Sequence, residues 1–346
     1  MTTWKAGLLC ALAVAVPAQA QQTDVSPEGA IAVPAITVPS SPLMSREGNE
    51  SRVEHILTKR KLKGQPIDAL DAALFGPGLT RMQAAYPQVR IRADRIAGVP
   101  VLVYEPSGPK VAAGRDKVLI NVHGGGFVGC FHECGGVESI PVAARTGIKV
   151  ISIDYREFPE ARFPAASQDV ASVYREILKR TPARKIGLYG CSAGGLLTAQ
   201  SLAWFQSHGL PAPAAAGIFC AGADATLGGD SRYIGNLLGD GEVPRAAAAT
   251  PPLGYMAGAS PQDPNAFPIV SKEVLAHYPP TLIITGTRDF GMSGAVYLHS
   301  RLVALHRPSD LQVWEGGRHA FFYDIRIPEA NEVFDVIARF FEEKLG

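Results

Sequence analysis

Residues 188–195 read LYGCSAGG, and two nucleophile types stand side by side in that stretch, the thiol of Cys191 and the hydroxyl of Ser192. Either would need a base to take its proton and an acid to orient the base. Gly190 and Gly194 frame the serine as G-x-S-x-G, a pattern in which a strand meets a helix through a sharp turn. Small residues must flank that turn so that strand and helix can approach, and the central side chain rises to its apex. By this frame Ser192 is the nucleophile, while Cys191, at the first x, points away. A thiol enzyme would instead need Cys191 at the apex with His319 against its sulfur.

The partners lie elsewhere in the chain. Thr287-Arg288-Asp289 follows the apolar run TLIITG, and Gly317-Arg318-His319-Ala320-Phe321 follows LQVWEG. They supply an acid and a base in the chain order Ser, Asp, His. Asp154 and Asp224 also stand near strand ends; Asp289 is preferred because its strand immediately precedes the one that leads to His319. The remaining histidines, His55, His132, His208, His277, His299 and His306, fall on expected helices or loops and read as surface or satisfied structural residues. After an earlier strand comes Asn121-Val122-His123-Gly124-Gly125-Gly126-Phe127. Its glycines leave backbone N–H groups unobstructed, the kind of donor that stabilises charge growing on a carbonyl oxygen.

Those loops need a scaffold. Continuous apolar runs at 117–122, 149–154, 185–190, 215–222, 281–286 and 311–316 read as buried strands, separated by helical stretches at 137–146, 165–180, 194–208, 294–306 and 328–345. Strands alternating with helices mean a mostly parallel sheet covered on both faces, an α/β fold. VRIRADRI and VPVLVYEP alternate instead, and read as an edge hairpin. In open α/β sheets ligands sit beyond the carboxyl ends of the strands, where all four motifs collect. Residues 225–274 are rich in Gly and Pro and too long for a structureless loop. They are expected to form a cap together with N-terminal helices in 43–80, over a catalytic domain of 81–224 and 275–346.

The chain of 346 residues has a formal net charge of +1, which gives no electrostatic reason to expect a nucleic acid partner. Its first twenty residues, with an apolar run from Ala6 to Val16 and Ala18-Gln19-Ala20 as a cleavage site, read as a signal peptide. The run is too short to span a bilayer. Soluble export to a periplasm or the medium is therefore expected, with residues 21–42 a poorly ordered leader. Export permits disulfides, and Cys130 with Cys134 is the pair whose spacing fits one helical turn or tight loop. With no CxxC pair and no Cys/His array at zinc spacing, a structural metal is not expected.

HGGGF, DYREFPEARFPAASQD (154–169), GCSAGG, Asp289 and GRHAFF, in that order, resemble the hormone-sensitive-lipase-like family of α/β-hydrolases, the bacterial type IV esterases. The resemblance implies a serine esterase acting on short-acyl or small hydrophobic esters without metal or organic cofactor, as a monomer or homodimer. It carries over the backbone N–H groups of Gly125, Gly126 and Ala193 as oxyanion donors, with His123, Gly124 and the Asp154-Tyr155-Arg156 segment supporting their loop. Cys191 replaces the Asp or Thr common before the nucleophile, and VGCFHECGG adds a cysteine pair to the loop. Phe127 and Cys191 are accordingly expected to border the substrate pocket. A lactonase or an amidase or carbamate hydrolase would use the same triad, and a ligand-binding homologue would keep the fold without turnover.

Overall fold

A computed structural model describes residues 23–226, 228–242 and 254–345. The expected signal peptide, the start of the leader and part of the 225–274 insertion lie outside the described residues. Residues 23–39 stand as a unit of their own and hold one antiparallel bridge, Val25 to Ile31.

From Ser40 onward the chain forms a second unit. It begins with α1 (Arg46–Lys61), α2 (Ile67–Ala85), β1 (Val89–Ile96), β2 (Val99–Pro106), α3 (Val111–Gly114) and β3 (Val118–Val122). There follow α4 (Phe131–Thr146), β4 (Lys149–Ile153), α5 (Ala165–Leu178), β5 (Ile186–Cys191), α6 (Ala193–Ser207) and β6 (Ala215–Phe219). The remainder is α7 (Ile234–Asp240), α8 (Lys272–Leu275), β7 (Thr281–Arg288), α9 (Met292–Ala304), β8 (Ser309–Arg318) and α10 (Pro328–Lys344).

The strands make one sheet in the order β1-β2-β4-β3-β5-β6-β7-β8. The hairpin β1–β2 joins antiparallel at one edge, and every pairing from β4 through to β8 is parallel. Alternation sends side chains to two cores. Val118, Ile120 and Val122 of β3 belong to one core with residues of α5, α6 and α9, and Leu119 belongs to the other with residues of α4 and α10. A strand covered on both faces is mostly apolar, and β3, VLINV, is buried at every position, its one polar residue, Asn121, being hydrogen-bonded to Glu138 and Ser152.

The main departures from expectation lie in α2, α4 and the insertion. The helix α2 runs to Ala85, past residue 80 and through Pro77. The helix α4 starts at Phe131 rather than 137, immediately after Cys130, which is bonded to Cys134. The 225–274 insertion divides: α7 packs against α1 and the ends of β7 and β8, whereas Tyr255, Met256, Ala266 and Phe267 are buried in the core beside α5 and α6. Tyr255 Oη accepts from the Ala166 N–H and Gln200 donates to the Ala266 carbonyl. Burying these apolar side chains beside α5 and α6 fixes this second half against the core.

Candidate active site

The turn between β5 and α6 is as tight as G-x-S-x-G demands. A Cβ on Gly190 would lie 2.0 Å from the Val122 carbonyl oxygen, and one on Gly194 would lie 1.8 Å from the same atom. Ser192 itself sits at φ 61°, ψ −121°, a backbone conformation that costs a non-glycine residue on the order of 1–3 kcal/mol and is held by the packing around it. That geometry lifts Oγ to the apex.

Two loops bring partners to it. His319, just beyond β8, places Nε2 2.8 Å from Ser192 Oγ and Nδ1 2.7 Å from Asp289 Oδ1. Asp289 is fully buried, and Thr285 Oγ1 and the Gly291 N–H donate to its carboxylate. Burial alone would raise its pKa, but His319 and these donors outweigh burial and hold it below the usual carboxylate range. Phe290 stacks on the His319 ring at 4.0 Å and limits its rotation.

The loop after β3 curls towards the same point. Gly125 has φ +117° and Gly126 φ +66°, and a Cβ on Gly125 would meet the Gly129 carbonyl at 2.1 Å. Neither N–H donates a backbone hydrogen bond among the described residues. Ala193 is the first residue of α6, so its N–H has no partner within the helix. Below the loop, His123 is buried and kept neutral, burial pushing it down to about 4. Tyr155 stacks on it at 4.3 Å and donates to its carbonyl at 2.6 Å. Arg156, beside Tyr155, pairs instead with Asp169.

Glu138 on α4 carried no sequence signal, yet it binds this loop. It is buried, and it accepts from the Gly124 N–H at 2.9 Å, Asn121 Nδ2 at 2.7 Å and the Tyr323 hydroxyl. Burial pushes its carboxyl up to about 7 against the pull of these donors. One carboxyl thus ties the loop after β3 to the segment just beyond His319.

Two expected pocket residues lie elsewhere. Phe127 is fully buried, stacked on Tyr255 at 4.4 Å and edge-on to Tyr155, because its positive φ turns the ring into the core. Cys191 is a free, fully buried thiol whose pKa is raised by burial, so it lies beneath the turn and does not face the pocket. A buried thiol pushed up in this way yields little thiolate, the form that a cysteine nucleophile needs.

The pocket over Ser192 and His319 has a volume of about 280 Å³. Gly125 and Gly126 line one side, and Ile67, Leu70, Leu74 and Phe75 of α2 line another. His55, read from sequence as structural, also lines it, 3.2 Å from Asp240, which Lys59 meets at 3.2 Å as well. A larger cleft of about 420 Å³ at the β1 edge is lined by no serine, cysteine or histidine among the described residues. Cys220, Asp289 and His319 bring S, O and N atoms within 4.8 Å of one another, a spacing that would suit an ion. Here, however, His319 Nδ1 and both Asp289 oxygens are already hydrogen-bonded, and burial raises the Cys220 thiol well above its ordinary value. The trio fits charge-assisted hydrogen bonding better than metal ligation.

A family model described as alpha/beta hydrolase fold matches residues 119–323. An acetyl-hydrolase of Streptomyces hygroscopicus is 28% identical over 236 residues, 66% of this chain and 77% of that protein. Among solved structures, an esterase E25 superposes with a TM-score of 0.78 at 29% identity, covering 91% of this chain and 99% of that one. An esterase from the bacterial hormone-sensitive lipase family superposes with a TM-score of 0.73 at 25% identity, over 86% of this chain and 99% of that one.

Proposed function

Since the chain belongs to the α/β-hydrolase fold family, as one of its hormone-sensitive-lipase-like, carboxylesterase-type hydrolases, we propose that it cleaves small esters by acyl transfer to Ser192. The observation that carries this reading is the single imidazole of His319 bridging Ser192 Oγ at 2.8 Å and Asp289 at 2.7 Å. His319 Nε2 takes the hydroxyl proton as Oγ attacks the ester carbonyl carbon, and Asp289 stabilises the imidazolium that forms. The N–H groups of Gly125, Gly126 and Ala193 receive the oxyanion; each such donor is worth about 100-fold or more in rate. His319 then protonates the leaving alcohol, the ester bond breaks, and water repeats the cycle through the same base to free the acid.

A pocket of about 280 Å³ supports a short acyl group, and the names of the relatives, acetyl-hydrolase and esterase, support the same class. Export fits the Cys130–Cys134 disulfide, since such bonds persist in oxidising compartments. The test is hydrolysis of p-nitrophenyl acetate by the wild type and by Ser192→Ala. Loss of activity in the variant is expected; full activity in the variant refutes the reading.

A further inference from the structure

The wall that α2 gives to the Ser192 pocket is hydrocarbon except at one position. Between Leu70 and Leu74 stands Asp71, on the same lining surface. It is 6% exposed, and its Oδ2 is buried without a hydrogen-bond partner among the described residues. The backbone of Gly129 lies against it, where a Cβ would stand 3.2 Å from Oδ2. The charged neighbours that act on it, Glu133 on α4 and Asp68 on α2, are both negative. Asp71 acts in turn on Glu157, beyond β4, another carboxyl pushed up by burial. Desolvation first, and then these neighbours, bring Asp71 up to about 6, so it is ionised at neutral pH.

An unpaired carboxylate on an apolar wall opposes folding, and an asparagine would fill the same space without that charge. The other acid lining the pocket has a different setting: Asp240 is matched by Lys59 and His55, each 3.2 Å away. Uncompensated negative potential therefore faces the cavity only from the Asp71 side among its described lining residues. A cation on the substrate would complete this site, because a buried charge becomes favourable once an opposite charge enters the same water-poor space.

We propose that Asp71 is a specificity-determining residue that binds an ammonium group, so that the preferred substrates are small esters carrying a protonated amine. This rests on Ser192 being the nucleophile of the same pocket. The cation meets Asp71 while the ester carbonyl reaches Ser192 and the Gly125–Gly126 loop. Neutral esters are still accepted through the hydrocarbon of Leu70, Leu74 and Phe75, without the added attraction.

The experiment compares 2-(dimethylamino)ethyl acetate with its carbon isostere, 3-methylbutyl acetate, near neutral pH in a pH-stat. The wild type is expected to favour the cationic ester in kcat/KM by about tenfold or more, at the low end of what a site gains when its polar group is matched. In Asp71→Asn that ratio falls towards one, and Asp71→Ser gives the same result. A wild-type ratio near one, or a ratio that Asp71→Asn leaves intact, overturns the proposal. A wild-type ratio near one decides against the proposal even if a variant fails to fold, and Asp71→Ser stands in where Asp71→Asn does not fold. Ser192-dependent hydrolysis of p-nitrophenyl acetate with a ratio near one removes the Asp71 assignment alone, whereas hydrolysis that survives Ser192→Ala removes both readings.

Discussion

Glu138 holds three donors: the Gly124 N–H, Asn121 Nδ2 and the Tyr323 hydroxyl. In Glu138→Ala all three are left in a site that excludes water. Each buried donor without a partner costs about 1–3 kcal/mol, so the sum is roughly 3–9 kcal/mol before any relaxation. For a domain of this size that lowers Tm by about 5–15 °C. Gly124 also sets where Gly125 and Gly126 point, and a displacement of about 1 Å in such a group can cost on the order of 100-fold in rate. The expected kinetic result is therefore a fall of about 100-fold in kcat with a smaller change in KM. Glu138→Gln separates shape from chemistry. Its amide oxygen still accepts from Gly124 and Tyr323, and its NH2 group can donate to Asn121 if that amide flips, because Ser152 Oγ can accept in place of donating to Asn121 Oδ1 at 2.7 Å. Gln should cost only about 1 kcal/mol, the scale of one rearranged hydrogen bond. Thermal melts and p-nitrophenyl acetate kinetics on both variants measure this. Wild-type Tm and kcat in Glu138→Ala, or equal damage from Gln and Ala, would refute the reasoning.

The same carboxyl makes stability depend on pH. Its folded pKa, about 7, lies above its unfolded value, so its contribution is full below the unfolded pKa and is lost as pH rises towards and through about 7. Melts of Glu138→Gln against wild type should therefore move in favour of Gln between acid and neutral pH, and a constant difference would contradict this. Asp289→Asn should lower kcat by roughly 10³–10⁴-fold while leaving Tm near wild type, because the amide holds the wrong His319 tautomer; stopped-flow or steady-state kinetics read it directly. Cys191→Ala should keep kcat within several-fold and lower Tm by a few degrees, as expected for a buried thiol that packs rather than reacts. Rapid inactivation of the folded wild type by iodoacetamide at Cys191 would speak against that.

The sheet and the turn at Ser192 were legible because each depends on contiguous residues. A strand buried on both faces is a short, mostly apolar run, as at Val118–Val122, and the turn at Ser192 needs its glycines within two positions. The residues that steady or shape the site were not legible, because distant elements bring them in. Glu138 stands in a helix whose start was obscured by Gly135 and Gly136, poor helix formers that the packing requires. A Cβ on Gly135 would meet Ser152 Oγ at 2.8 Å, and one on Gly136 would meet Leu79 Cδ1 at 2.4 Å. Gly76-Pro77-Gly78 likewise reads as a break, yet α2 continues through it, with Gly78 close beneath the Tyr323 carbonyl. That continuation settles α2 along the pocket, where Asp71, Leu74 and Phe75 gain roles that no local pattern announces. Phe127 was misplaced for the converse reason: its neighbours in sequence line the pocket, but a positive φ turns its own ring inward.

The most direct measurement is intact-mass and peptide mapping after treatment with a p-nitrophenyl alkylphosphonate, which reacts only with an activated nucleophile. One phosphonyl adduct on Ser192, abolished in Ser192→Ala and strongly slowed in His319→Ala, is the expected result. An adduct on Cys191, or none on an enzyme that still turns over p-nitrophenyl acetate, would contradict Ser192 as the nucleophile.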